Sequence, residues 1–318
     1  MKKVLPILLL CTGNLLFGQR STRIERFFDY SWKECDPSIA RSYVIIQSRD
    51  SLWYRNDYFI REKKIQMQGS YRDSSCRIAQ GLFSWFHPNG KLQATGKYQD
   101  GKKQGLWLSY HSNGMMNDSI VYRDGRPYGI SKKWFADHSL MDSSVYNQDG
   151  TAQHTEWFDN GNLSFTGQTL HDTIFGKWQY YHKNGKLSAS ELYNKQGSLV
   201  SRDYYNERGT HMADTSNQDS DTEFPGGIRA WNKFISTQIS FPENYEISGG
   251  DKAIVVVDAV IDEDGNVTDV EVSSPFFPAF DAIALNAIKK SPKWKPAISH
   301  NRRIKNSIRQ PVTFVQAE

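Results

Sequence analysis

From residue 81 to residue 209, apolar and polar positions alternate in short runs, and each run closes on a turn signal. Lys91-Leu92-Gln93-Ala94-Thr95-Gly96-Lys97-Tyr98 is representative. A period of two over roughly five to eight residues predicts a half-buried strand. Turn residues recur at Gly90, Gly114, His138, Gly161, Gly185 and Gly209, at spacings of 24, 24, 23, 24 and 24. A second set lies between them: Asp100-Gly101, Asp124-Gly125, Asp149-Gly150, Asp172-Thr173 and Gln196-Gly197. Asn-Gly and Asp-Gly suit the two-residue type I′ turn, whose central residues both need positive φ. Each unit therefore predicts one hairpin. A lone hairpin is unstable in water, so the units must stack in series into a long, narrow antiparallel sheet. Aromatic residues precede the turns with the same period, as in Trp85-Phe86, Tyr110, Trp157-Phe158 and Tyr180-Tyr181. That regularity predicts rings packed between hairpins rather than a carbohydrate-stacking surface.

The pattern stops at Gly209. Residues 210–223 are polar and acidic, which predicts a flexible linker. Beyond them Ile228, Trp231, Phe234, Ile235 and Ile239 fall at helical spacing, and Phe241-Pro242 ends the helix. Lys252–Ile261 is a β-branched run suited to a central strand, and Asp264-Gly265 turns it into a second strand, 266–273. Phe280, Ile283, Ala284, Ala287 and Ile288 form a second amphipathic helix, and residues 306–315 a last strand. The expected unit, 224–318, is a compact α+β domain: a three-stranded antiparallel sheet with both helices on one face. The whole chain thus reads as mainly β plus α+β.

Upstream, residues 20–80 read as a β-rich segment with a degenerate repeat near Ser51, where Trp53-Tyr54 and Gly69-Ser70-Tyr71-Arg72-Asp73 echo the later units. Residues 1–19 have the shape of a secretory signal peptide. Lys2 and Lys3 precede an apolar run, Val4 to Phe17, and polar sequence starts at Gln19. An uncleaved inner-membrane anchor is the alternative. Export leaves Cys35 and Cys76 either as a disulfide pair or as two separate thiols.

Composition narrows the function. The 318 residues are 38 % hydrophobic but 13 % aromatic, and the net charge of +4 gives no argument for nucleic acid. His87, His111 and His182 share one place in their units, but Asp159, Asn206 and Ala136 fill it elsewhere, which marks a turn position and not a metal ligand. Nucleophile elbow, zinc spacing and phosphate loop are all missing, so the reading is no enzyme, no cofactor and no small-molecule substrate. Charge in the last domain is segregated. Asp258 to Glu271 holds six acids and no base, and Lys289 to Arg309 eight bases and no acid.

Two stretches carry family resemblances. The pattern Gly-x-Trp-x-x-Tyr-x-x-Asn-Gly-Lys-Leu, best seen at Gly105–Gly114 and Gly176–Leu187, resembles MORN-type repeats of the bacterial, antitoxin-like variety over 81–209. Phe224-Pro225-Gly226-Gly227, Phe241-Pro242, Asp264-Gly265-Asn266-Val267, Ser291-Pro292-Lys293-Trp294-Lys295-Pro296 and Gln310-Pro311-Val312-Thr313-Phe314 resemble the TonB C-terminal domain. Asn301-Arg302-Arg303 departs from it, standing where that family carries a Gly-containing turn. The second resemblance implies a periplasmic or envelope protein that pairs a strand with a peptide of an outer-membrane transporter. The expected contacts are Asn306, Ile308, Arg309 and Gln310 on the last strand, and Phe241, Pro242, Glu243, Asn244 and Tyr245 beside it. It leaves two roles open: an energy transducer working with an inner-membrane motor complex, or a periplasmic interaction scaffold.

Overall fold

The structure, a computed structural model, describes residues 22–37, 40–246 and 252–316. The leader expected over residues 1–19 lies outside them. Among the described residues no helix is long and apolar enough to cross a membrane.

The hairpin units form one antiparallel sheet of sixteen strands in strict chain order. They are β1 (Arg23–Phe28), β2 (Ser42–Arg49), β3 (Leu52–Phe59), β4 (Lys64–Tyr71), β5 (Gly81–Phe86), β6 (Leu92–Gln99), β7 (Lys102–Tyr110) and β8 (Met116–Arg123). The rest are β9 (Arg126–Trp134), β10 (Leu140–Tyr146), β11 (Thr151–Trp157), β12 (Leu163–Leu170), β13 (Thr173–Tyr181), β14 (Leu187–Tyr193), β15 (Leu199–Tyr205) and β16 (His211–Met212). Residues 20–80 supply the first four strands, so the sheet starts well before the recognisable repeat. Laid flat, so many strands would span roughly 70 Å.

The turns are built in two ways that cut across the two sets, and only one way matches the expectation. Asp100-Gly101 and Asp124-Gly125 have positive φ at both residues, as a type I′ turn requires. At Asn89-Gly90 only the glycine is left-handed (φ 87°). There the Gly90 N–H donates to His87 O at 2.7 Å, and the His87 N–H to Lys91 O at 2.9 Å. The pairing then slips one residue between Trp85 and Phe86. This is a type I turn followed by a glycine bulge. Asp149-Gly150, Gln196-Gly197 and Asp264-Gly265 follow the same scheme and are not type I′. The difference has a use. Asn89 Oδ1 accepts the Lys91 N–H at 2.9 Å, which frees its amide to donate to Ser112 O, 23 residues on, at 2.7 Å. Asn113, Asn160 and Asn184 make the same 23-residue rung to Ala136 O, Lys183 O and Glu207 O.

Rings fill the face between turns. Trp107 packs edge-on against Tyr98 and Tyr122, and Phe83 against Tyr71 and Tyr98. The neighbouring strand leaves room by carrying glycine: a Cβ on Gly96 would fall 2.1 Å from Trp107, and one on Gly167 2.0 Å from Trp178. The expected inter-hairpin packing of aromatic rings is therefore made, ring over glycine.

The C-terminal unit is the expected α+β domain. Its strands β17 (Lys252–Ile261), β18 (Val267–Ser274) and β21 (Asn306–Val315) form a sheet in the order β18-β17-β21. The helices α1 (Gly227–Gln238) and α2 (Pro278–Lys289) bury Trp231, Ile235, Phe280, Ala284 and Ile288 against Val255, Val257, Val312 and Phe314. A short hairpin, β19 (Ala297–Ser299) and β20 (Arg302–Ile304), was not foreseen. Between the two units the expected tether is tied down: Ser220 pairs with Ile298 and Glu223 with Lys295, while β16 keeps residues 211–212 in the long sheet. Backbone amides that a free linker would leave to water are here paired along β19 and its approach.

Candidate partner-binding site

β21 lies at an edge of the small sheet, and its sequence fixes what it can offer. Its register with β17 is unbroken from Asn306↔Ile261 to Val315↔Lys252, so parity holds along the strand. Even-numbered side chains turn to the helices: Val312 and Phe314 are buried, and Ile308 packs on the core. Gln310 Oε1 accepts the Trp231 indole N–H at 2.6 Å. Odd-numbered residues, Ser307, Arg309, Pro311, Thr313 and Val315, are exposed. Pro311 has no N–H, and a proline inside a strand sits where the N–H would point away from the ladder. The same parity therefore aims the N–H groups of Ser307, Arg309, Thr313 and Val315 at the open edge. Of the expected contacts, Arg309 faces outward, and its guanidinium lies 3.5 Å from Asp258. Ile308 and Gln310 are committed to the core side. Ser307 and Thr313, which the sequence reading did not name, share that outward face.

The segment 241–245 sits beside α2. Phe241 and Tyr245 pack edge-on against Phe280 at 5.2 and 5.3 Å, and Phe280 in turn against Phe314 of β21 at 5.1 Å. Pro242 O accepts the Tyr245 N–H at 3.2 Å, and Glu243 and Asn244 are exposed. The two stretches are thus brought together through one shared ring. Cys35 and Cys76 are not joined; both are free thiols. They hang from loops after β1 and β4, strands three spacings or about 14 Å apart, whereas a disulfide needs Cα atoms within about 7 Å.

A second cluster lies where the small domain meets the long sheet. The β19–β20 turn, His300 (φ 50°) and Asn301 (φ 60°), is left-handed at both positions and inserts into the sheet face. The His300 ring stacks on Tyr180 at 3.7 Å and 5°. Its Nδ1–H donates to Glu191 at 3.0 Å, and Arg202 Nε donates to the same carboxylate at 2.7 Å. Glu191 is wholly buried. Burial alone would raise its pKa, but hydrogen bonds from His300 and Tyr193, with the Arg202 charge, hold it below the usual range. The Asn301 amide donates to Ser188 O at 3.1 Å and Tyr205 O at 2.9 Å. Arg302, 6 % exposed, donates to Ser164 Oγ at 2.8 Å among the rings of Phe158, Phe165 and Tyr180. Lys183 bridges Asp159 and Glu263, and Lys305 joins Asp159. At the other end Arg41 lies over Phe276 at 4.1 Å and Arg61 over Phe277 at 3.8 Å. Burial, with the nearby Arg61 charge, lowers the Arg41 pKa to about 10. Parts of the two charge runs are therefore interdomain contacts and not solvated faces.

The turn histidines are accounted for. His87, His111 and His182 each donate Nε2–H to a carbonyl 23 residues on, Tyr110, Trp134 and Tyr205, at 2.8 to 2.9 Å. Asp159, at the same place, carries the ion pairs to Lys183 and Lys305 instead.

Residues 238–315 match the family model described as the Gram-negative bacterial TonB protein C-terminal. Residues 79–100 and 176–195 match that of the MORN repeat variant. No curated protein matches the chain. The match takes in α2, all three strands of the small sheet and the 241–245 segment, the elements that build the open edge. Residues 238–315 are therefore a TonB-type C-terminal domain, carried on a sheet built in part from MORN-variant hairpins.

Proposed function

We propose that the protein binds the periplasmic peptide of an outer-membrane transporter by strand addition to β21, a binding role without catalysis. The observation that carries this reading is the open edge of β21 inside a TonB-type domain. An edge strand offers a row of unpaired N–H and C=O groups, and an extended peptide gains its affinity from pairing with them. Energy transduction is part of the proposal only if the N-terminal segment remains as a membrane anchor, since force needs a fixed end.

The test uses the full chain and labelled peptides from transporter N-termini, read by fluorescence anisotropy. Arg309→Pro deletes one outward N–H without touching the β17 ladder and should abolish binding while the near-ultraviolet circular dichroism is kept. Binding that survives Arg309→Pro and Ser307→Pro sinks strand addition. N-terminal sequencing of the native protein from a membrane fraction decides the anchor: an intact Met1 supports transduction, and a soluble chain that starts near Gln19 refutes it.

A further inference from the structure

The clasp at Glu191 and the contacts at Arg41 hold the small sheet over the face of the long one but leave a gap between them. A cleft of about 1010 Å³ runs there, between β5–β10 and the outer faces of β17, β18 and β21. Ser307, Ile308 and Arg309 line it from above, and Tyr110, Phe135 and Met141 from below. Lys305, the residue before β21, has its Nζ 4.9 Å from the centre of the Phe135 ring, so the start of the edge strand lies beside that ring. Pro311 divides the open edge into two donor pairs, 307 with 309 and 313 with 315. The residues of the first pair, Ser307 and Arg309, line the cleft.

We propose that the groove for the partner strand is shared between the two domains: β21 supplies the backbone pairing, and Tyr110, Phe135 and Met141 of the long sheet read the side chains that point away from the helices. This rests on the strand-addition reading above. On a strand paired with β21, residues opposite Ser307 and Arg309 share one face, which looks at the long sheet. The one opposite Arg309 meets a guanidinium that Asp258 already holds at 3.5 Å, with Asp269 and Glu271 lining the same cleft, so charge selects no acid there. The one opposite Ser307 meets half-buried Phe135 and Met141, which select a large apolar side chain. The partner is therefore an extended peptide with a large apolar residue at the position that faces Phe135 and Met141. The hairpin array then acts as half of the recognition surface as well as a spacer.

The probe is a short fluorescein-labelled peptide of alternating threonine and valine with one Phe, assayed on the full chain. A version with Ala in place of that Phe should bind about 3- to 10-fold more weakly. Phe135→Ala and Met141→Ala should each weaken the first peptide about 3- to 10-fold and leave the second unchanged. A benzophenone in place of the peptide Phe should label the protein between residues 135 and 141, a readout that a partly destabilised variant cannot mimic. If both variants bind as wild type, or the label falls only within 252–315, while Arg309→Pro still abolishes binding, the shared groove is wrong and strand addition stands. If Arg309→Pro and Ser307→Pro change nothing, both readings fall.

Discussion

Asn301→Gly tests whether the β19–β20 turn holds the two domains together. Position 301 has φ 60°, where glycine is at ease, so the substitution keeps the turn and removes only the amide. Two N–H···O bonds are lost, at 3.1 Å to Ser188 O and 2.9 Å to Tyr205 O. Tyr205 O keeps its bond from His182, so the main deficit falls on Ser188 O, on a residue that is 0 % exposed. Each bond is worth about 1 kcal/mol, and an under-satisfied buried carbonyl adds about 1 more. Relief of the left-handed backbone returns about 1 kcal/mol, leaving a net loss of about 2. Asn301→Ala loses the same bonds without that relief and should be worse by about 1–2 kcal/mol. The assay is cleavage at Asp214 and Asp219 by a protease specific for aspartate. Docking protects this segment, because Asp219 Oδ1 accepts the His300 N–H at 2.9 Å. With opening fast relative to cleavage, a 2 kcal/mol loss raises the cutting rate about 30-fold. The expected order is wild type slowest, then Asn301→Gly, then Asn301→Ala. Equal rates for all three would refute the amide as an anchor. An effect in Asn301→Ala alone would assign the result to backbone strain.

Gly96→Ala places a Cβ 2.1 Å from Trp107 and should cost about 1–3 kcal/mol or more, whereas Gly105→Ala, with nothing within 4 Å but φ 68°, should cost about 1–2. Urea midpoints that rank Gly105→Ala below Gly96→Ala would contradict ring-over-glycine packing. Asp281 has a pKa raised to about 6, chiefly by burial and against the hydrogen bond from the Phe276 N–H. Its folded value lies above its unfolded one, so stability is full below about pH 4 and declines as pH climbs to about 6. Asp281→Asn should remove that decline, and urea midpoints at pH 3.5 and 7 that fall as in wild type would overturn the assignment.

The parts that were legible in the sequence are those written as period and punctuation. The 24-residue spacing of Gly90, Gly114, Gly161, Gly185 and Gly209 carried the hairpin array, and the apolar run Lys252–Ile261 carried the central strand of the small domain. Turn type was harder, because Asn-Gly serves both a two-residue turn and a bulged one. Asp149-Gly150 and Gln196-Gly197 take the bulged form without the rung that Asn89 makes to Ser112 O, so the dipeptide does not fix the turn and the length of the connection does. The clasp was the least legible. His300, Asn301 and Arg302 looked like a defect in a turn that usually carries glycine. Without glycine the turn keeps left-handed geometry at some cost in strain, and in exchange gains side chains that reach Glu191, Ser188 and Ser164, more than 100 residues away in sequence. A local departure from a family pattern is ambiguous on its own, because it reads equally as drift or as a new contact. The burial of Glu191 decides between them: a carboxylate at 0 % exposure would be expensive without His300 and Arg202, so the array and the turn are matched to each other.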